Sequence, residues 1–343
     1  MNTLRTILVT LLSLLTLASA AYNVPARRVR NGIIVVDTGA TVRAIEPFRG
    51  SQDGGAGYAF AVSKYARTFP DVQVYCMVIP NAVAYYCPDT AATWTALERP
   101  AIEAIHRQLA DRVKAVDVYP VLQRYVDEPI YSRTDHHWSP LGAYYAAEEF
   151  ARVAGVPFMP LDAYDRHVIH DYVGSMSRFS HDKAVSAAPE DFVFYVPRGI
   201  DYQSTRTVYR RVTKRVGHRR RHRTTTYLQE SAPEAFEFFR PYEDGSSAAY
   251  CTFMGGDNNT TSVRTGMRNG RRVLILKDSY GNALPAYLFG SFEEVHVVDC
   301  RYFLRNIEDF VRQHGITDIL FANNLIHASM PRTSEAYQQY LRQ

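Results

Sequence analysis

The sequence predicts an α/β fold built on a mostly parallel sheet, and three observations point there. Short, nearly continuous apolar runs recur at Val72–Ile79, Val273–Leu276, Val295–Asp299 and Asp318–Ala322, as in strands covered on both faces. Segments with apolar residues at helical spacing lie between them. The runs stop at polar residues, with Asn81, Ser279, Asp299 and Asn323 among them, and ligands of open parallel sheets bind beyond such strand ends.

Taken in order, the chain opens with Arg5, an apolar run from Ile7 to Leu17 and Ala18-Ser19-Ala20, the pattern of a cleaved signal peptide over residues 1–20. Export follows, to a periplasmic, cell-surface or secreted location; an uncleaved anchor is the competing reading. Asn31–Asp37 reads as a short strand led in by a turn, and Gly57–Thr68 as a helix through Tyr58, Ala61, Val62 and Tyr65. Thr93–Val113 has a long helical pattern, Val116–Tyr119 a short strand, and Leu141–Val153 a helix capped by Ser139 with Pro140 at its first position. From Pro157 to about Tyr250 the periodicity breaks down, which marks an insertion or lobe on a catalytic domain spanning 21–343. Beyond it come the Val273 strand, a helix from Ala283 to Phe289, the Val295 strand, a helix Tyr302–Gln313, the Asp318 strand and a last helix from Ser334.

Formal net charge is +4, yet nine Lys and Arg with no acid stand between Arg206 and Arg223, so the rest of the chain is net acidic. The basic character is local and excludes a nucleic-acid-binding protein as a whole. Valines alternate with the basic residues around Gly217-His218, which suits either a basic hairpin or a solvated loop; both offer a surface to an anionic glycan or lipid head group. The four cysteines allow three pairings, and no CxxC or CxxCH suggests a redox or haem role.

The chemistry centres on Thr134-Asp135-His136-His137-Trp138. An acid two residues before a histidine in an extended segment shares its face, so Asp135 can hold His137. The same pleating sends His136 to the other side, into a structural or solvent-facing role. Ser279, between a buried strand and a helix, is the candidate nucleophile: His137 takes its proton, Asp135 orients His137, and the N–H groups of Ser279 and the following turn at Tyr280 face an oxyanion. Asn323 adds an amide from a neighbouring strand end, each such donor being worth roughly 3 kcal/mol in a transition state. Lys277 offers a cation for an anionic substrate. A metal site on Asp-His-His is the rival, but no second cluster of His, Asp or Cys at ligand spacing accompanies it, so neither a metal nor a cofactor is expected.

The stretch Tyr131–Tyr145 resembles the signature of the DHHW family, exported bacterial proteins related to SGNH hydrolases. Gly255-Gly256-Asp257, Leu276–Asn282 and Val298–Phe303 resemble three further blocks of that family in the same order. The family is similar in turn to periplasmic alginate O-acetyltransferases. The resemblance implies a three-layer α/β/α SGNH-like fold with circularly permuted motif order and a triad of Ser279, His137 and Asp135. It also implies Asn323, or failing it Asn324, as oxyanion donor. The activity implied is that of a serine esterase or O-acetyltransferase on a cell-envelope or extracellular polysaccharide, served by an acyl donor or a membrane acyl-transfer partner. A non-catalytic glycan-binding protein on the same scaffold and a metal-dependent phosphoesterase are the alternatives.

Overall fold

A computed structural model describes residues 24–216 and 223–343. The predicted signal and Arg219–Arg221 of the basic segment lie outside them. Among the described residues no helix is long and apolar enough to cross a membrane, and the four cysteines form no disulfide.

The first strands, β1 (Ala26–Arg28), β2 (Ile34–Asp37) and β3 (Val42–Ile45), form a small antiparallel sheet of their own. The main sheet has nine strands. Its parallel part runs in the order β13 (Glu294–Asp299), β12 (Arg272–Lys277), β14 (Asp318–Asn324), β4 (Gln73–Ile79) and β5 (Val113–Ala115). The apolar runs that predict strands fill its centre, and all seven residues of β14 are buried. Helices cover both faces. On one, Phe321 of β14 meets Tyr58 and Tyr65 of α1 (Ala56–Thr68) and Tyr337 of α5 (Pro331–Tyr340). On the other, Tyr75 of β4 meets Phe150 of α3 (Pro140–Ala154) edge to face at 5.1 Å. Helix α3 starts where its caps predict: the Ser139 hydroxyl accepts from the Gly142 N–H at 3.2 Å, and Gly155 ends it at φ 67°.

Several elements depart from expectation. The helix read over Thr93–Val113 is only α2 (Glu98–Arg107), and the strand beyond it lies at Val113–Ala115 rather than Val116–Tyr119. Asn306 caps α4 (Ile307–His314), accepting from the N–H groups of Glu308 and Asp309, so this helix begins five residues later than its periodicity indicates. Leu284–Leu288 is 3-10 rather than α-helical. Within 157–250, β6 (Tyr164–Tyr172) and β7 (Glu190–Pro197) pair as a separate ribbon. The first half of β8 (Tyr202–Val216) instead joins the main sheet, antiparallel to β11 (Asn259–Thr265), and β10 (Glu234–Ala235) flanks it. Its second half pairs with β9 (Arg223–Glu230) from Tyr209 opposite Glu230 to Val216 opposite Arg223, two strands of a basic ribbon.

Candidate active site

Ser279 stands just past the carboxyl end of β12. Asp278 before it is extended and caps a 3-10 turn over Ser279–Asn282, its carboxylate accepting from the Tyr280 N–H at 2.9 Å. As first residue of that turn, Ser279 has an N–H with no partner inside it. The Asp278 carboxylate also accepts from the Asn324 N–H, and the Nδ1 of His327 lies 2.9 Å from it, which ties the serine turn to the end of β14. A Cβ on Gly281 would lie 2.5 Å from the Cβ of Lys277, so the tight turn needs glycine there.

The Asp-His-His loop reaches Ser279 from the segment ahead of α3. His137 Nε2 lies 2.8 Å from Ser279 Oγ and His137 Nδ1 2.5 Å from Asp135 Oδ1. The second Asp135 oxygen accepts from the Ser175 N–H at 2.8 Å. Burial by itself would raise the Asp135 carboxyl, but the His137 and His136 imidazoles, the Nδ1 hydrogen bond and the Ser175 N–H hold it well below the usual carboxylate range. An ionised Asp135 keeps the proton of His137 on Nδ1 and turns the Nε2 lone pair to the serine hydroxyl.

The local backbone is not the extended pleat the spacing implied. Residues 133–137 are a run of bends, and the His137 N–H folds back onto Asp135 Oδ1 at 3.0 Å. His136 is therefore not on the opposite side: its ring lies 3.7 Å from that of His137, centroid to centroid, and its Nδ1 is 2.6 Å from Ser175 Oγ. Burial, with the neighbouring His137, lowers the His136 pKa to about 4, so His136 is a neutral packing residue in this loop.

Two hydrogen bonds latch the two loops together, and a third from Tyr250 braces the serine turn. Trp138 Nε1 and the Tyr250 hydroxyl both donate to the Tyr280 carbonyl, at 2.7 and 2.8 Å, and the Tyr280 hydroxyl donates to the His136 carbonyl. Tyr280 is thus a fastener, with its own N–H spent on Asp278, and not the oxyanion donor expected of it. Gly174 is a further part that the sequence reading missed. A Cβ there would lie 2.4 Å from the Asp135 Cβ and 2.6 Å from Asp135 Oδ2. No spacing signal marks Gly174, Ser175 or Tyr250, because only tertiary contact relates them to the loop.

The other sequence candidates are placed elsewhere. Asn323 turns toward the α1 and α5 face: its Oδ1 accepts from the Tyr58 and Tyr337 hydroxyls at 2.8 Å each, and its amide nitrogen faces Asp278 at 3.4 Å. Asn324 caps the turn after β14, its Oδ1 accepting from the His327 N–H. The Asn324 amide nitrogen lies 3.2 Å from His327 Nδ1, so each of the two amide nitrogens already has a protein partner. Lys277 is buried and donates to Asp299 at 3.0 Å and to Asn282 Oδ1 at 2.6 Å. Asp257 and Arg301 complete this ionic cluster, so the Lys277 cation is spent on partners inside the protein. Asn81 hydrogen-bonds both oxygens of Glu98, whose pKa burial raises to about 8.

Asp135, His136 and His137 bring ligand atoms within 4.8 Å of one another. The Asp135 oxygens, both His137 nitrogens and His136 Nδ1 are engaged with each other, Ser279 and Ser175, which suits a triad better than a metal. A second such group, Glu294, His296 and His314, lies elsewhere in the sheet, where the sequence showed no cluster. Glu46 is on the triad's side: burial raises its carboxyl, against the pull of His327 and His137. With Pro47, Phe48, Ile326 and Met330 it lines a recess of about 290 Å³.

The DHHW protein family model matches residues 52–205 and 243–298. A DHHW family protein from Eubacterium siraeum has a crystal structure that superposes with TM-score 0.79 at 34% identity, over 92% of this chain and 97% of its own. PatB1 of Bacillus cereus superposes with TM-score 0.62 at 18% identity over 88% and 99%, and in its form with a sulfonyl adduct at 16% identity over 88% and 97%, a likeness of fold alone. No curated protein matches the chain. With its signature loop assembled against Ser279 and the match running through most of its length, the chain belongs to the DHHW family.

Proposed function

We propose that this protein is an exported serine enzyme of SGNH-like three-layer fold with permuted motif order, which moves an acyl group, acetyl in the simplest case, to or from a hydroxyl of a cell-envelope or extracellular polysaccharide. One observation carries the reading: a continuous chain from Asp135 through His137 to Ser279 Oγ, with links of 2.5 and 2.8 Å. Ser279 Oγ attacks the acyl carbonyl and its proton passes to His137 Nε2. The Ser279 N–H faces the oxyanion, and the imidazolium, steadied by Asp135, protonates the leaving oxygen. Water or a sugar hydroxyl then gives its proton to His137 and attacks the acyl-serine.

The test is release of p-nitrophenol from its acetate by the purified chain, with intact mass after exposure to the acetate and to a sulfonyl fluoride. Expected is turnover and a mass adduct in wild type, both lost in Ser279→Ala and turnover lost in His137→Ala. The fold neighbour PatB1 carries a sulfonyl adduct, which makes that reagent the apt probe. Silence with both reagents, together with binding of a glycan by wild type and Ser279→Ala alike, would replace this reading by the glycan-binding scaffold. The basic ribbon, with Arg210 and Arg211 on β8, is the surface for an anionic glycan or head group.

A further inference from the structure

Away from the triad, the first half of β13 and the end of α4 assemble a second polar centre. Glu294 and His296 are two residues apart on a strand and so share a face. His314, the last residue of α4 before Gly315 turns the chain at φ 55°, comes down on that face, its ring 4.4 Å from that of His296. One atom from each of the three, a carboxylate oxygen and two imidazole nitrogens, lies within 4.8 Å of the others. His296 pairs with Leu274 across the sheet, five residues before Ser279, which puts this centre about 16 Å along the strands from the nucleophile.

The surroundings are arranged as around a ligand set. Ser262 Oγ is 2.8 Å from His296 Nδ1, which fixes the ring and leaves Nε2 pointing at Glu294 Oε2, 3.0 Å away. Arg264 takes the other Glu294 oxygen, Oε1, at 3.1 Å and holds the carboxylate's direction. Such outer partners orient metal-binding imidazoles and carboxylates. His314 has no hydrogen-bond partner among the described residues, an unspent imidazole facing the engaged imidazole of His296 and carboxylate of Glu294. The three line a cavity of about 400 Å³ together with Arg206 and Arg305.

We propose that Glu294, His296 and His314 bind one divalent transition metal ion of the zinc class, with an open coordination position facing this cavity. Two imidazoles and one carboxylate suit zinc and its neighbours rather than magnesium or calcium. The remaining position takes water or an anionic oxygen, which the arginines of the cavity wall favour. For the ion to bind through Nε2, the single proton of the neutral His296 ring sits on Nδ1 and is donated to Ser262 Oγ, which leaves the Nε2 lone pair and the Glu294 carboxylate to the metal.

The experiment is Zn²⁺ titration of the full purified chain, stripped with chelator and dialysed, in competition with a chromophoric chelator; Co²⁺ is substituted in parallel to read its visible spectrum. Expected is one tight equivalent in wild type, weakened by roughly a hundredfold or more in His296→Gln and in His314→Gln, and unchanged in His137→Gln. His314 is half-buried at a helix end, so its variant folds even where the His296 one does not, and melting temperature checks both. No tight uptake by wild type, uptake unaltered by His314→Gln, or uptake lost in His137→Gln each overturns the proposal, the last by moving the metal to the Asp-His-His loop.

Discussion

The ring of Tyr250 lies flat on the imidazole of His137, centroids 3.9 Å apart and planes 7° from parallel. The same tyrosine's hydroxyl holds the carbonyl of Tyr280, the residue after Ser279. One side chain therefore fixes both the His137 ring and the turn that carries Ser279.

Tyr250→Phe keeps the ring and loses the hydrogen bond. It should cost about 1 kcal/mol of stability and leave ester turnover within about tenfold of wild type. Tyr250→Ala frees the imidazole and should approach the deficit of His137→Ala, roughly a hundredfold or more. Initial rates and urea unfolding on both variants check this; equal rates for Tyr250→Ala and wild type would remove the stack from the mechanism.

Gly174→Ala puts a methyl group 2.4 Å from Asp135 Cβ and 2.7 Å from the Tyr172 hydroxyl, a contact that something must yield to. Displacing Asp135 should lower stability by about 1–3 kcal/mol and turnover more than the stability loss explains. Comparing rates at a temperature where both proteins are fully folded separates the two effects.

Lys277 is tied into the buried cluster with Asp299, Asp257 and Arg301. Lys277→Met should destabilise by about 3–5 kcal/mol, because it leaves buried carboxylates under-compensated. Adding Asp257→Asn should recover part of the loss. Denaturant midpoints of the single and double variants measure it; a destabilisation near zero for Lys277→Met would show the cluster to be indifferent to its cation.

The Asp278–His327 pair sets a pH window for stability. Burial pulls the His327 pKa down, but the hydrogen bond and attraction of Asp278 outweigh it and the net shift is upward. For Asp278, burial pushes up and His327 together with the Tyr280 N–H pulls it below its ordinary value. A raised histidine stabilises fully below its unfolded pKa and loses the effect as pH rises through the folded value. A lowered carboxyl stabilises above its unfolded pKa and loses the effect as pH falls through the folded one. The difference in melting temperature between wild type and His327→Gln should therefore be greatest at about pH 4.5–6.5 and shrink on either side. A difference that grows toward alkaline pH would contradict the pairing.

The parallel core was legible because its strands are buried on both faces and carry unbroken apolar runs. The residues Asp135, His137 and Ser279 were legible because acid, histidine and serine stood at loop positions beside those strands. The amide donors were not. Asn323 and Asn324 are the last two residues of β14, but the pleat turns Asn323 to the tyrosines of α1 and α5, while Asn324 caps the next turn. Lys277 looked available beside the serine, yet its alternate partner Asp299 on β13 draws it inward. His136 shows how a period-2 argument fails when the backbone bends, since rings of adjacent residues then lie side by side.

By itself the sequence determined the α/β class, the chain order of the buried strands, the N-cap of α3 and the residue types of the candidate triad, because these rest on local periodicity and on side chains whose chemistry is intrinsic. Only the tertiary structure decided that His137 meets Ser279 across 142 positions of chain, that Tyr250 and Gly174 pack against His137 and Asp135, and that Glu294 and His296 of β13 converge with His314 of α4. Those relations are set by strand register and helix packing, which bring together residues that no spacing along the chain connects.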